Sequence, residues 1–122
     1  MKSNETIRIA IAENSVIIRS GLASALKRLP NLKVQTIELV SVEALSDCLR
    51  SHCPDILIVN PAFGDYFDVA RFREEIGTKR IRVVALVSSF IDASLLSKYD
   101  DSISIFDTLE VLGTKMNHLQ DI

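Results

Sequence analysis

The chain has 122 residues, of which 48% are hydrophobic and 25% are charged, with only four glycines and three prolines. This composition is typical of a single domain with its own hydrophobic core and argues against disorder or low-complexity repeats. A net charge of -2 indicates no general attraction to nucleic acid or anionic lipid, no apolar run approaches the roughly 18 residues of a membrane span, and no signal-peptide pattern opens the chain. We therefore expect one cytoplasmic domain over residues 1–122 that binds neither nucleic acid nor membrane directly.

Two strand-and-helix pairs are predicted in the first part of the chain. An apolar run at residues 7–12 predicts the first strand, and Ser15 is placed to cap the helix that follows. That helix has an apolar stripe of helical period until Pro30 ends it, and Gly21 within it predicts close packing against the sheet. Residues 33–40 predict a second strand near an edge, and Ser41 is placed to cap the second helix that follows.

The middle of the chain contains the most informative strand. Residues 56–59 are four consecutive apolar residues between Pro54-Asp55 and Asn60-Pro61, which predicts a short strand buried on both faces at the centre of a parallel sheet. A third helix is predicted over residues 66–76, with Asp68 on its outer face, and a fourth strand over residues 81–87.

The last part of the chain predicts a short, weakly patterned helix around residues 92–98 and a fifth strand at residues 103–106. Asp107 and Glu110 then have the spacing of a capping box, which predicts Asp107 as the cap of a fifth helix. Strands that alternate with helices in this way predict a doubly wound α/β domain, with a five-stranded parallel sheet of flavodoxin-like order 2-1-3-4-5 and helices on both faces.

Polar residues follow the central strands at the points where those strands end. Because the carboxyl ends of parallel strands line one crevice, we expect Glu13, Asn14, Asn60 and Ser88 to meet there although they lie far apart in sequence.

The chain resembles, from about residue 7 to residue 119, the receiver domain of bacterial two-component response regulators. The segment Glu13-Asn14 followed by a helix containing R-x-G-L (residues 19–22) is similar to the opening of the LuxR-type subfamily, where an acidic pair stands at this place. The segment Pro54 to Asn60 is similar to the family's P-D-[apolar]-D segment, except that its last residue is Asn60. The resemblance implies a signalling domain in which position 60 would be the aspartate that accepts a phosphoryl group.

The departures from the family pattern predict a degenerate phosphoacceptor site. The amide of Asn60 is a poor nucleophile, and Pro61 lacks the backbone N–H that deamidation to aspartate would use. Glu13 keeps the only charge of the family's Mg²⁺ ligands, so weak or absent Mg²⁺ binding and no other cofactor are expected. Ser88 matches the family's Ser/Thr position, whereas Phe106 or Asp107 stands near the place of its phosphate-pairing lysine. Simpler interpretations stay open: Asn60 as a turn residue, Asn14 as a partner of loop amides, and Asp107 as a helix cap alone.

The hypothesis from this resemblance is a non-enzymatic receiver-like module that works through protein association rather than phosphorylation. A protein partner or a second copy would bind the face formed by the fourth helix, fifth strand and fifth helix, and a DNA-binding domain could follow this segment in a LuxR-type transcription regulator. Two alternatives are a receiver that is phosphorylated on Asp65 or Asp68, and a small flavodoxin-like ligand-binding domain, for which Glu13-Asn14-Ser15 offers little of the expected Gly/Ser/Thr-rich phosphate loop.

Overall fold

The computed structural model describes residues 6–120, and within them five strands alternate with five helices. Their bounds in chain order are β1 Thr6–Ala12, α1 Val16–Lys27, β2 Lys33–Leu39, α2 Val42–Ser51, β3 Ile56–Val59, α3 Val69–Ile76, β4 Arg82–Val87, α4 Ala93–Leu96, β5 Asp101–Ser104 and α5 Leu109–Gln120. All strand pairs are parallel and their order is β2-β1-β3-β4-β5. The predicted doubly wound α/β fold is confirmed.

The sheet separates two hydrophobic layers. Successive residues of β3 alternate between them, so that Leu57 and Val59 pack with α2 and α3 while Ile56 and Ile58 pack with α1 and α5. All four are at most 2% exposed. Burial of each such side chain contributes about 1.5–3 kcal/mol, which makes this strand the centre of the core as its sequence predicts.

The helix caps at Ser15 and Ser41 form as expected, but α3 begins later than predicted. The Ser15 and Ser41 hydroxyls accept hydrogen bonds from the N–H groups three residues onward, at 3.3 and 3.0 Å. Asp68, predicted on the outer face of α3, instead caps it by accepting from Arg71 N–H at 3.1 Å. The helix therefore starts at Val69 rather than at residue 66.

Three predictions near the fifth strand and in α1 are wrong. β5 covers Asp101–Ser104 rather than residues 103–106, because a turn follows in which the Ser104 hydroxyl accepts from Phe106 N–H at 3.1 Å. The cap of α5 is Thr108, whose hydroxyl accepts from Val111 N–H at 3.2 Å, and not Asp107. Gly21 does not serve close packing, since a Cβ added there would meet no atom within 4 Å.

The two cysteines of the chain, Cys48 and Cys53, are free thiols. Cys48 packs among the α2 and α3 side chains with Cys53 against it, and burial, followed by the nearby Cys53, raises the pKa of the Cys48 thiol above its usual value. His118 is an exposed residue of α5. None of the helices within residues 6–120 is long and apolar enough to cross a bilayer.

Candidate functional site

Parallel pairing of β1 with β3 brings Glu13 and Asn60 together. Ala12 and Val59 are opposite each other in the register, so Glu13 and Asn60 are the first residues beyond the paired strands. The Asn60 N–H donates to the Ala12 carbonyl at 3.1 Å and extends the pairing by one step. Two residues 47 positions apart in sequence thus lie side by side at the carboxyl edge of the sheet.

The side chains of Glu13 and Asn60 are joined by a hydrogen bond. The Asn60 amide Nδ2 donates to Glu13 Oε1 at 2.9 Å, and the Ser15 N–H donates to Glu13 Oε2 at 2.8 Å. Glu13 is only 4% exposed, so both oxygens of a buried carboxylate have donors. This satisfies the rule that buried charges are tolerated when they are paired or hydrogen-bonded.

The orientation of the Asn60 amide follows from its two partners. Its Oδ1 accepts from the Ala62 N–H at 2.9 Å, and that partner is a donor only. The opposite atom faces an acceptor, the Glu13 carboxylate, and must therefore be the NH₂ group. An aspartate here would place two carboxylate oxygens at hydrogen-bond distance, an arrangement that needs a proton or a cation between them.

The residues at this edge do not fit a Mg²⁺ ion. The Asn60 NH₂ group donates to Glu13 Oε1, and Asn14 turns away to donate to the Val40 carbonyl at 3.0 Å. Within residues 6–120 no three His, Cys, Asp or Glu side chains are grouped closely enough to hold a metal. Mg²⁺ prefers oxygen ligands with near-octahedral geometry, whereas here an amide N–H donor faces Glu13 Oε1.

Arg19 holds the loop that carries Glu13 and Asn14, a role that the sequence interpretation missed. Its Nη1 donates to the carbonyl oxygens of Glu13 at 2.7 Å and Asn14 at 3.4 Å, and its Nε pairs with Glu38 of β2 at 3.0 Å. The side chain is nearly buried. The sequence contained a sign of this role, because Arg19 is a charged residue in line with the apolar stripe of α1, three residues before Leu22.

Asn14 and Ser88 lie at the same edge but do not join the Glu13–Asn60 pair. The bond from Asn14 to Val40 ties the β1–α1 loop to the end of β2, in agreement with the simpler structural interpretation of Asn14. Ser88 directly follows β4, the neighbour of β3, and is half-buried. Among the described residues no hydrogen bond engages the Ser88 hydroxyl, so it is available to a group that enters the crevice.

Asp107 belongs to a different environment. Its Oδ2 accepts from the Ser104 N–H at 3.0 Å and pairs with Lys115 Nζ of α5 at 3.3 Å. Lys115 also donates to the Ser102 carbonyl at 2.6 Å. Asp107 therefore supports the β5–α5 turn, and neither the crevice role nor the capping role expected from sequence describes its contacts.

The alternative acceptors, Asp65 and Asp68, lie in and after the β3–α3 loop. Asp65 is exposed and has a positive φ of 74°. Asp68 is held by its cap bond and lines a groove between α2 and α3. Within residues 6–120 neither carboxylate is hydrogen-bonded to Glu13 or Asn60.

The face formed by α4, β5 and α5 carries exposed apolar residues. α4 is a single turn with no buried side chain, and β5 is an edge strand. Beside them Phe106 is 84% exposed, and Ile105 and Val111 are also exposed. Clusters of large exposed apolar side chains are typical of interaction surfaces.

Comparisons with known proteins agree on the fold. A putative response regulator from Chloroflexus aurantiacus has a TM-score of 0.79 at 14% identity, covering 97% of this chain and 100% of that one. The signal receiver domain of a DNA-binding response regulator from Colwellia psychrerythraea gives 0.77 at 15% identity and coverages of 95% and 99%. A LuxR-family DNA-binding response regulator from Staphylococcus aureus gives 0.73 at 14% identity and coverages of 93% and 98%. No sequence-family model and no curated protein matches. The chain has the fold of a response regulator receiver domain.

Proposed function

We propose that this chain is a signalling domain with the receiver fold whose output does not depend on phosphorylation of position 60. The observation that carries the proposal is the hydrogen bond from Asn60 Nδ2 to the buried Glu13 carboxylate. An acceptor aspartate attacks phosphorus through a free carboxylate oxygen with the help of a bound cation. Here the Asn60 amide nitrogen donates to the Glu13 carboxylate, and the amide oxygen accepts from Ala62 N–H.

The Glu13–Asn60 pair is a stable replacement for a metal-bridged carboxylate pair. The hydrogen bond from a neutral amide to a carboxylate is worth about 1.5–3 kcal/mol, and it requires neither ion nor phosphate. The pair therefore forms without a bound Mg²⁺ ion. A ligand or partner that binds two arrangements of the domain with different affinity must then set its signalling state.

Association with a protein partner or with a second copy supplies the output in this proposal. The face of α4, β5 and α5 supports it through exposed Phe106, Ile105 and Val111. The resemblance of the β1–α1 segment to LuxR-type regulators, and the similar structure of a DNA-binding regulator of that family, support a role in transcription regulation with a DNA-binding domain beyond this segment.

The test is the intact mass of the purified chain before and after incubation with acetyl phosphate and Mg²⁺. The natural chain is expected to gain no phosphoryl group. Asn60→Asp and the double variant Asn14→Asp/Asn60→Asp are measured beside it, because the double variant restores the full set of carboxylates at Glu13 and positions 14 and 60. Asn14→Asp alone is the matched control, since it adds a carboxylate without changing Asn60.

The outcomes separate the alternatives. A phosphoryl gain in the variants with a substituted Asn60, and none in the natural chain or in Asn14→Asp, would show that Asn60 alone blocks the reaction. No gain in any variant would mean that the loss of the family lysine also disables the site, in agreement with a phosphorylation-independent module. An adduct on the natural chain would overturn the proposal, and peptide mapping would then test Asp65 and Asp68.

A further inference from the structure

A cavity of about 260 Å³ lies between α1 and the end of the sheet formed by β4 and β5, next to α5. It is separate from the Glu13–Asn60 pair. Its main apolar lining comes from α1 on one side and from β5, its turn and α5 on the other, namely Ile17, Gly21, Leu22, Ile103, Ile105 and Leu112. The helices α1 and α5 and the ends of β4 and β5 thus meet around one cavity.

The cavity is accessible and has room for a ligand. At its rim, Ile17 is 82% exposed although it is a large apolar side chain. In its wall, Gly21 leaves open space, because a Cβ built there would meet no atom within 4 Å. Glycine in a helix interior costs about 1 kcal/mol relative to alanine, and no contact within this fold explains its presence at position 21.

One end of the cavity carries the carboxylate of Asp107, which is ion-paired with Lys115. Asp107 and Ser104 are lining residues, and no Lys, Arg or His side chain lines the cavity with them. Asp107 is 21% exposed, and its Oδ2 accepts from Ser104 N–H and Lys115 Nζ. Among the described residues no hydrogen bond or ion pair engages Oδ1. A partly buried carboxylate with one unoccupied oxygen at the end of an apolar cavity complements a cation.

We infer that this cavity binds a small amphipathic amine, with an aromatic or branched apolar body in the α1–β5–α5 space and an ammonium group against Asp107. Apolar burial supplies the affinity and the Asp107 carboxylate selects the charge. The inference rests on the proposed function, because such a ligand would contact α1, the sheet and α5 at once and could set the state that phosphorylation does not set. An anionic ligand of the same shape would place its charge against the unengaged Oδ1 of Asp107 and should bind more weakly.

The test uses three probes of matched shape: 2-phenylethylamine, 2-phenylethanol and 3-phenylpropanoate. Each is titrated into the full chain while amide NMR spectra are recorded. We expect the amine to shift the signals of Gly21, Ile103 and Leu112, with a Kd of about 1 mM, which is typical of a ligand of this size. The neutral alcohol should bind at least about fivefold more weakly, because it lacks the charge-assisted bond to Asp107, and the anion should bind more weakly still.

Three variants locate the binding. Gly21→Leu fills the cavity with a better helix former, so it should abolish binding of all probes while the fold is kept. Asp107→Asn should reduce the amine's affinity to that of the alcohol. Lys115→Gln removes the cation that competes for Asp107 and should raise the amine's affinity severalfold. Ser24→Leu, on the exposed face of α1 and outside the cavity lining, is the control and should leave binding unchanged.

Several results would overturn the inference. The first is the absence of NMR shifts up to about 10 mM amine, a concentration about tenfold above the expected Kd. The second is equal affinity for all three probes, and the third is amine binding that survives Gly21→Leu. Concentration-dependent shifts of the same signals without probe, together with dimer formation in sedimentation, would assign the cavity to a second copy instead. If Gly21→Leu failed to fold, the opposite effects of Asp107→Asn and Lys115→Gln would still decide. A phosphoryl adduct on the natural chain would refute the proposed function without affecting these binding measurements.

Discussion

The substitution Asn60→Asp should destabilise the domain and make its stability depend on Mg²⁺. In the natural chain the Asn60 amide donates to Glu13 Oε1 at 2.9 Å, and Glu13 is buried. The substitution replaces this donor by a second carboxylate oxygen. A charge-assisted hydrogen bond of about 1.5–3 kcal/mol is lost, and two like charges are brought together.

An upper limit can be set for the repulsion between the Glu13 carboxylate and the carboxylate introduced at position 60. Two unit charges 4 Å apart interact by about 4 kcal/mol at the effective dielectric constant of 20 that is typical near a protein surface. Side-chain relaxation and proton uptake reduce this figure, so we expect a loss of about 2–4 kcal/mol in the free energy of unfolding at pH 7 without Mg²⁺. The loss should shrink as the pH falls towards about 4, where a shared proton replaces the amide hydrogen. Mg²⁺ at ten times its Kd should restore about 1.4 kcal/mol.

Urea unfolding with and without Mg²⁺ measures both effects. Asn14→Asp is the control, because Asn14 is exposed and bonded to the Val40 carbonyl rather than to Glu13. It should lose about 1 kcal/mol or less and gain little from Mg²⁺. The reasoning is refuted if Asn60→Asp is as stable as the natural chain without Mg²⁺, since the Glu13–Asn60 bond would then contribute nothing.

Two further predictions concern other buried polar groups. Burial, followed by the nearby Tyr66, raises the pKa of Tyr99 to about 12. The contribution of Tyr99 to the free energy of unfolding should therefore be constant below about pH 10 and fall by about 2 kcal/mol towards pH 12, because the tyrosine of the unfolded chain ionises first. The Tyr99 hydroxyl has no partner among the described residues, so Tyr99→Phe should stabilise the domain by about 1 kcal/mol at pH 7 and reduce the loss of stability above pH 10. Urea unfolding over a pH series measures both effects. An unchanged pH dependence of the variant's stability would contradict the prediction. Arg19→Met should lower the free energy of unfolding by about 2–3 kcal/mol, because the carbonyl of Glu13 loses its donor and Glu38 loses its ion pair. Glu38→Gln, which leaves the bond to the Glu13 carbonyl intact, should cost about 1 kcal/mol or less in the same assay, and equal losses in the two variants would argue against a role of Arg19 in holding the loop.

The element order and core were predictable because they depend on local patterns. Four consecutive apolar residues at Ile56–Val59 have to be buried on both faces, and this places β3 at the centre of a parallel sheet. Ser15 and Ser41 cap their helices through bonds to residues only three positions away. Such interactions are encoded within one turn of the chain.

The errors near α5 and β5 have two separate causes. Asp107 and Thr108 could each cap α5, and Thr108 does so because Asp107 is bonded to the Ser104 N–H and Lys115. The strand pattern at residues 103–106 continues beyond β5 because Ile105 and Phe106 are apolar, although both lie in the turn and are exposed. Sequence patterns do not show which backbone groups find partners on other elements.

The sequence by itself determined the alternation of strands and helices, the burial of β3, and the absence of a carboxylate at position 60, since these are properties of residue type and spacing. Only the tertiary structure decided that the Asn60 amide donates to Glu13 and that Asn14 is bonded to Val40. It also decided that Arg19 holds the loop of Glu13 and Asn14, and that Gly21 and Asp107 line one cavity. The physical reason is that these contacts join residues from different elements. Their geometry depends on strand register and helix packing, which are set by the whole core at once.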